Sequence, residues 1–257
     1  MTLIQEFKNG VCTITLNRPQ VFNSFNKEMA MALQKVLDEC EQDETVRAIV
    51  IKGEGKAFCA GQDLAEATDP NGPEMQSIVK DHYNPIIERI RKIEKPIIAG
   101  VNGVAAGAGA NIALACDLTV AKESASFIQA FSKIGLIPDS GGTFFLPRLV
   151  GMQKAMALMM TGEKVMAKDA VEMNMIYKAV ADESFEEEVT RLAENLASMP
   201  TYGLGLTKRA MNASFTNSLT DQLALEEQLQ TLAGKSEDFE EGVKAFMEKR
   251  TPVFKGK

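Results

Sequence analysis

Twenty residues, Ile97 to Cys116, pass without a charged side chain, and no other segment limits the possible folds so strongly. A run of about 20 uncharged residues is long enough to cross a bilayer. Gly103 and Gly107 also have the G-x-x-x-G spacing of packed membrane helices. Against a span stand Asn102 and Asn111 within the run, four glycines that interrupt it, and Asp117 immediately after it. The run therefore reads as a buried strand, a glycine turn and a buried helix, the centre of a folded domain.

The flanking sequence supports an α/β core. Val11 to Leu16 (VCTITL) and Val46 to Ile51 (VRAIVI) are β-branched, apolar strand segments, ended by Asn17-Arg18-Pro19 and by Gly53 and Gly55. Between them, Met29, Leu33, Val36 and Leu37 have the spacing of an amphipathic helix over Asn26 to Cys40. Glu74 to Ile93 predicts a helical stretch that Pro85 kinks or divides. Strands separated by helices imply parallel crossovers. From Met152 onward the pattern is helical, over 154–160, 167–173, 184–196, 207–214, 220–233 and 237–248. Ser184 with Glu187 has the S-x-x-E form of a capping box. The methionines between Met152 and Met175 read as core filling rather than as an acyl-binding lining. Residues 1–200 form the expected strand-bearing core, and 201–257 a helical C-terminal region.

Composition narrows the function classes. With 257 residues, 45% apolar, the chain can bury a large core. Its 28 basic and 35 acidic residues leave a net charge of −7, which disfavours nucleic acids and anionic membranes as partners. An anionic ligand must then be held by a local basic cluster. Four scattered cysteines and the single His82 offer no zinc spacing and read as the reduced thiols of a cytoplasmic protein. The start, MTLIQEFKNG, lacks the apolar core of a signal peptide.

Two turns carry candidate chemistry. In Lys56-Ala57-Phe58-Cys59-Ala60-Gly61-Gln62-Asp63-Leu64 an apolar run stops at Ala60-Gly61, exposing backbone N–H groups. In Asn102-Gly103-Val104-Ala105-Ala106-Gly107-Ala108-Gly109-Ala110, small residues open a helix. The first N–H groups of a helix lack internal partners and carry the positive end of its dipole. Such a turn suits an oxyanion or a phosphate, although small residues at a helix start also simply permit close packing. It is neither a Walker A loop nor a complete G-x-G-x-x-G fingerprint.

The ordered segments LNRP, KAFCAGQDL, NGVAAGAGANIALACD and FSKIGLIPDSGGTFFLPRLVG resemble the crotonase, or enoyl-CoA hydratase/isomerase, superfamily over essentially the whole chain. Within it, AFSK with IGLIPDSGGT, and YNPI with NGVAAGAGA, are most similar to the isomerase branch that acts on aryl-epoxide and enoyl thioesters. The resemblance implies an α/β spiral of ββα units (ClpP-like) with a helical C-terminal trimerisation region, assembled as a homotrimer or as a hexamer of paired trimers. It implies an acyl-CoA substrate, with coenzyme A as part of that substrate and no separate cofactor or metal.

By motif position, the resemblance assigns the oxyanion-hole donors to the backbone N–H groups of Gln62 and Ala108. The two glutamates of the hydratases are replaced by Asn111 and Phe131, neither of which can exchange a proton near neutral pH. Asp139 remains, in Ile137-Pro138-Asp139-Ser140-Gly141-Gly142, where the isomerase branch carries its acid/base. An Asp in that setting is also an ordinary turn or N-cap residue. Arg18, Lys56, Ala60, Asp63, Leu64, Phe246 and Lys249 match the coenzyme A site, although each basic residue is also explicable as surface charge and Asp63 as a backbone cap. Asn111, Phe131 and Ile137 match the acyl pocket; His82 is expected at the surface or lining it. The favoured activity is an isomerase using Asp139. The alternatives are a hydratase that recruits Glu66 or Glu123, and a non-catalytic acyl-CoA- or RNA-binding relative.

Overall fold

Between Ala48 and Ile128, strand-forming segments in this chain come in closely spaced pairs, and the two members of each pair enter different sheets. The computed structural model describes residues 1–257. Its strands are β1 (Leu3–Lys8), β2 (Val11–Leu16), β3 (Ala48–Gly53), β4 (Ala57–Cys59), β5 (Ile97–Val101), β6 (Val104–Ala106), β7 (Leu118–Lys122), β8 (Ser126–Ile128), β9 (Lys164–Met166) and β10 (Lys178–Val180). One sheet has the order β1-β2-β3-β5-β7-β10, and the other β4-β6-β8-β9. The pairs β3/β4, β5/β6 and β7/β8 each give one strand to either sheet, so the chain advances as a spiral. Neighbours are parallel except at the edges, where β1 and β9 run antiparallel.

Helices make the crossovers that parallel pairing requires. They are α1 (Lys27–Gln42), α2 (Leu64–Ala67), α3 (Met75–Ser77), α4 (Asn84–Lys92), α5 (Ala108–Ala115), α6 (Gly142–Val150), α7 (Met152–Thr161), α8 (Ala167–Glu172), α9 (Phe185–Ser198), α10 (Thr201–Ala213), α11 (Leu219–Ala233) and α12 (Glu237–Glu248). Alternate residues of the central strands serve two cores. Cys12, Ile14, Leu16, Ile49 and Ile51 pack with Met29, Leu33 and Leu37 of α1. Val11, Ala48 and Val50 pack beneath Phe185, Val189 and Ala193 of α9. Burial on both faces is why these strands read as unbroken apolar runs. All eight residues of α5 are buried, which accounts for the uncharged stretch between Ile97 and Cys116. No helix is long and apolar enough to cross a membrane.

Several local expectations change in the structure. The stretch 74–93 changes helical type, with Pro85 the second residue of α4 and the helical backbone continuous through it. Ahead of it, Ile78–Tyr83 forms a π-helical turn, and Gln34 Nε2 donates to the carbonyls of Asp81 (2.8 Å) and His82 (3.1 Å). His82 is neither surface nor pocket lining: only 3% exposed, it lies buried with Nδ1 unpartnered. Ser184 forms no capping box, because its helical backbone turns the hydroxyl back to the Ala181 carbonyl. Strand β1 escaped the periodicity because five of its six residues are exposed. The strands β4, β6 and β8 are each three residues long, too short to display a period.

After β10 the chain is helical. The Arg47 guanidinium fastens its far end to the core, donating to Thr201 Oγ1 (2.8 Å) and to the Phe254 carbonyl (2.6 Å). The buried Asp238 carboxylate accepts the N–H groups of Lys255 (2.6 Å) and Gly256 (2.8 Å), folding the tail onto α12.

Candidate active site

The two turns singled out by their sequence meet in space. Phe25 forms a parallel bridge with Gln62: its N–H donates to the Gly61 carbonyl (2.7 Å), and its carbonyl accepts the Asp63 N–H (2.8 Å). That pairing uses the neighbours of Gln62 and turns its own N–H to the opposite side. Ala108 is the first residue of α5, so its N–H has no helical partner. Neither N–H finds an acceptor within the chain. A Cβ placed on Gly61 would lie 3.5 Å from the Ala108 nitrogen, which shows how closely the turns approach. Two features permit that approach. Gly107 adopts φ +53° and ψ −128°, a conformation that side chains disfavour. Gly109 lies so near β4 that a Cβ there would sit 2.4 Å from the Cys59 carbonyl oxygen.

The loop between β8 and α6 brings Asp139 to this region. Its carbonyl accepts the Gly142 N–H and the Asn111 amide, both at 2.8 Å. Asn111 cannot turn its amide over freely, because Gln129 Nε2 donates to its Oδ1 at 2.8 Å. Ser140 and Gly141 both take positive φ, swinging the chain sharply into α6. The Asp139 carboxylate does not cap α6, whose N-cap is Gly141; its donors are the Ser140 hydroxyl, at 2.8 Å, and its own backbone N–H. Burial raises its pKa above the ordinary carboxylate value, and the hydrogen bonds from Ser140 and from its own backbone oppose that rise only in part. Burial holds the Tyr83 phenol well above the usual range, and nearby Cys59, Asp139, Glu66 and Asp63 add to that rise. The two turns thus leave two backbone N–H groups without partners, and the half-buried Asp139 carboxylate lies in the same region without a cationic partner.

The remaining expected site residues divide by what they touch. Arg18 and Asp63, matched to coenzyme A, are committed to each other at 2.8 Å, with side chains only 16% and 14% exposed. Arg18 also donates to the Ser24 carbonyl (2.6 Å), and Asp63 caps α2 through the Ala65 N–H (3.0 Å). Burial alone would raise the Asp63 pKa, but Arg18 and the backbone donors outweigh it and leave the carboxyl below its ordinary value. Their role here is to brace the first turn. Arg18→Ala should therefore destabilise the fold by about 2 kcal/mol, the scale of a charge-assisted hydrogen bond left half-made. A denaturant titration at neutral pH checks it, with part of the loss disappearing as acid protonates Asp63.

Lys56, Ala60 and Leu64 stand exposed around the rim of the same turn. Asn111 is fully buried with both ends of its amide in use, so it anchors the Asp139 loop instead of lining an acyl pocket. Phe131 is buried, its ring 3.7 Å from where a Gly107 Cβ would be. Ile137 is 82% exposed and encloses nothing in the single chain. Phe246 and Lys249 are exposed at the end of α12. With Phe239, Val243 and Phe254, Phe246 lines a cavity of about 420 Å³ that contains none of the residues around Gln62 and Asp139.

Two participants were given no role by the sequence, although Tyr83 opens the YNPI segment. Gln129 fixes Asn111, and Tyr83 Oη donates to Gln62 Oε1 at 2.8 Å. Only the polar Gln beside Gly61, where the side chain contributes nothing to the backbone donor, hinted that this side chain has work elsewhere. All four cysteines are free and buried; burial pushes the Cys59 thiol, beneath the first turn, up to about 12.

Comparison with known proteins agrees with this architecture. The sequence profile described as enoyl-CoA hydratase/isomerase matches residues 6–257. The chain is 48% identical to the 1,2-epoxyphenylacetyl-CoA isomerase of Escherichia coli (strain K12), covering 99% of this chain and 98% of that protein. It is 44% identical to a protein of Rhodobacter capsulatus named as a probable enoyl-CoA hydratase, covering 100% and 98% respectively. The enoyl-CoA hydratase of Bacillus anthracis, a crystal structure, superposes with a TM-score of 0.93 at 32% identity, over the full length of both chains. A spiral of paired strands, two glycine-bearing turns that meet, and matches along the whole sequence lead to one conclusion: the chain belongs to the enoyl-CoA hydratase/isomerase family.

Proposed function

We propose that this protein is an acyl-CoA isomerase that relays one proton through Asp139 while the N–H groups of Gln62 and Ala108 hold the thioester oxygen. One observation carries the reading. Near the two turns, Asp63 is paired with Arg18, and Glu66 accepts the Lys27 N–H and the Gln62 amide. Asp139, by contrast, meets no positive group and no donor from outside its own turn, and burial raises its affinity for a proton. For a 3-enoyl thioester the carboxylate takes a proton from C2. The C–H electron pair moves into the carbonyl, and the two N–H groups stabilise the resulting dienolate oxygen. The same carboxyl group returns the proton at C4, the double bond shifts to C2–C3, and no atom is gained or lost. One acid/base suffices because donor and acceptor carbons lie on one face of one molecule.

Hydration needs a second group to activate water, and the candidates for it are poorly placed. Both Glu66 oxygens accept the Lys27 N–H, and one accepts the Gln62 amide. Glu123 is exposed on the turn between β7 and β8. The relative at 48% identity, named as an isomerase of 1,2-epoxyphenylacetyl-CoA, supports an aryl-epoxide thioester as a substrate beside the enoyl thioesters. Lys56 and Lys249 are proposed to meet the coenzyme A phosphates. The exposed apolar residues Leu219, Leu223 and Leu232 suit a trimer contact along α11.

The test is a panel of acyl-CoA thioesters, including 3-hexenoyl-, crotonyl- and 1,2-epoxyphenylacetyl-CoA, followed by mass and ultraviolet absorbance. The expected result is product of unchanged mass. A dominant product heavier by one water would replace the isomerase reading with the hydratase one.

A further inference from the structure

The side chain of Gln62 plays no part in donating its backbone N–H, yet the structure ties it at both ends. Its Oε1 accepts the Tyr83 hydroxyl at 2.8 Å, and its Nε2 donates to Glu66 Oε2 at 3.1 Å. Glu66 in turn accepts the Lys27 N–H at the start of α1 (3.0 Å). Tyr83 is fully buried, so it meets no ligand. Its ring packs edge-on against Phe25, with centroids 5.8 Å apart. Phe25 is the residue whose backbone bridge turns the Gln62 N–H outward. Tyr83 thus grips both halves of that bridge, the side chain of Gln62 and the ring of its partner.

The placement of Tyr83 depends on the π-helical turn Ile78–Tyr83. A π turn inserts one residue per turn and rotates everything beyond it by roughly 100° relative to an uninterrupted α-helix. Gln34 of α1 satisfies the carbonyls of Asp81 and His82 there, which lets the widened turn persist in the interior.

We propose that Tyr83 is a positioning residue for the first oxyanion donor: through the Gln62 side chain and the Phe25 ring it sets the direction of the Gln62 N–H without touching the acyl-CoA. This rests on the oxyanion-hole reading above, and the experiment separates the two. Hexanoyl-CoA labelled with ¹³C at the carbonyl binds without turning over, and isotope-edited infrared spectroscopy reads the polarisation of its thioester. Wild-type protein is expected to shift the carbonyl band to lower frequency. Tyr83→Phe keeps the ring and the Phe25 contact but removes the hydroxyl. It should lose at least half of the shift and lower kcat about tenfold, with KM and the hexanoyl-CoA Kd within about threefold of wild type.

Gln62→Met retains the backbone donor and removes the amide. It should reproduce the loss, and the double variant should be no worse than either single one, because both cut the same link. If Tyr83→Phe fails to fold, Gln62→Met alone decides. Absence of a band shift in the wild type would overturn the oxyanion-hole reading itself. A full shift and wild-type kcat in either folded variant would overturn the positioning role and leave that reading intact.

Discussion

Asp139→Asn should lower kcat for the double-bond shift by roughly 10²- to 10⁴-fold, the range contributed by a general acid–base group, with KM little changed. Asn keeps the shape of the side chain and can still accept from the Ser140 hydroxyl, but it cannot take a proton. The pH dependence supplies an independent check. In the proposed reaction the carboxylate starts ionised, so kcat/KM should fall as pH drops through the pKa of Asp139. Because burial raises that pKa, the acid limb should lie above the ordinary carboxylate value of about 3.9 and vanish in the variant.

Stability should move the other way. A carboxyl whose pKa is raised on folding binds its proton more tightly in the folded state. Its contribution to stability is therefore greatest at low pH and declines as pH rises from the unfolded pKa through the folded one. At neutral pH the wild type carries that penalty in full and Asp139→Asn does not. The variant should melt at or above the wild-type temperature, measured by calorimetry at pH 7. An inactive variant that also melts lower would point to a structural role for Asp139 instead.

Gly109→Ala has the second large expected effect and attacks the other half of the site. The new Cβ would lie 2.4 Å from the Cys59 carbonyl oxygen and 2.7 Å from the Cys59 Sγ, so backbone must move. Helix α5 cannot retreat without carrying the Ala108 N–H with it. Overpacking of this kind costs about 1–3 kcal/mol of stability, while loss of one oxyanion donor lowers kcat by roughly 10²- to 10³-fold. Activity should therefore fall far more than stability, as read by steady-state kinetics beside a urea titration. Full activity in a stable variant would mean that the Ala108 N–H is not used.

Much of this site was legible in the chain itself. Gly61, Gln62, Gly107 and Ala108 stand at strand-end and helix-start positions, where backbone N–H groups lose their partners for local reasons. Asp139 in Pro-Asp-Ser-Gly-Gly was recognisable as a residue at a sharp turn, and the positive φ of Ser140 and Gly141 produces that turn. The coenzyme A and acyl-pocket assignments were less secure, because a motif position records residue type and not what the side chain grasps. Arg18 and Asp63 illustrate this: each fits a ligand contact in isolation, and in the fold each is the other's partner. Asn111 fits a pocket wall, but its amide is spent on Asp139 and Gln129.

The sequence by itself determined the strand–turn–helix character of Ile97 to Cys116, the alternation that makes parallel sheets, and the identity of the turns that expose N–H groups. These depend on neighbours within a few positions, through periodicity, side-chain size and helix ends. Tertiary structure alone decided that Arg18 pairs with Asp63 across 45 positions, that Asn111 reaches Asp139 across 28, and that Tyr83 reaches Gln62 across 21. It also buried His82, which the sequence reading had put at the surface or lining the pocket. The reason is physical: most polar groups enclosed by a core, unlike the Nδ1 of His82, are paired by whatever the fold brings within about 3 Å, and nothing in local sequence names that partner.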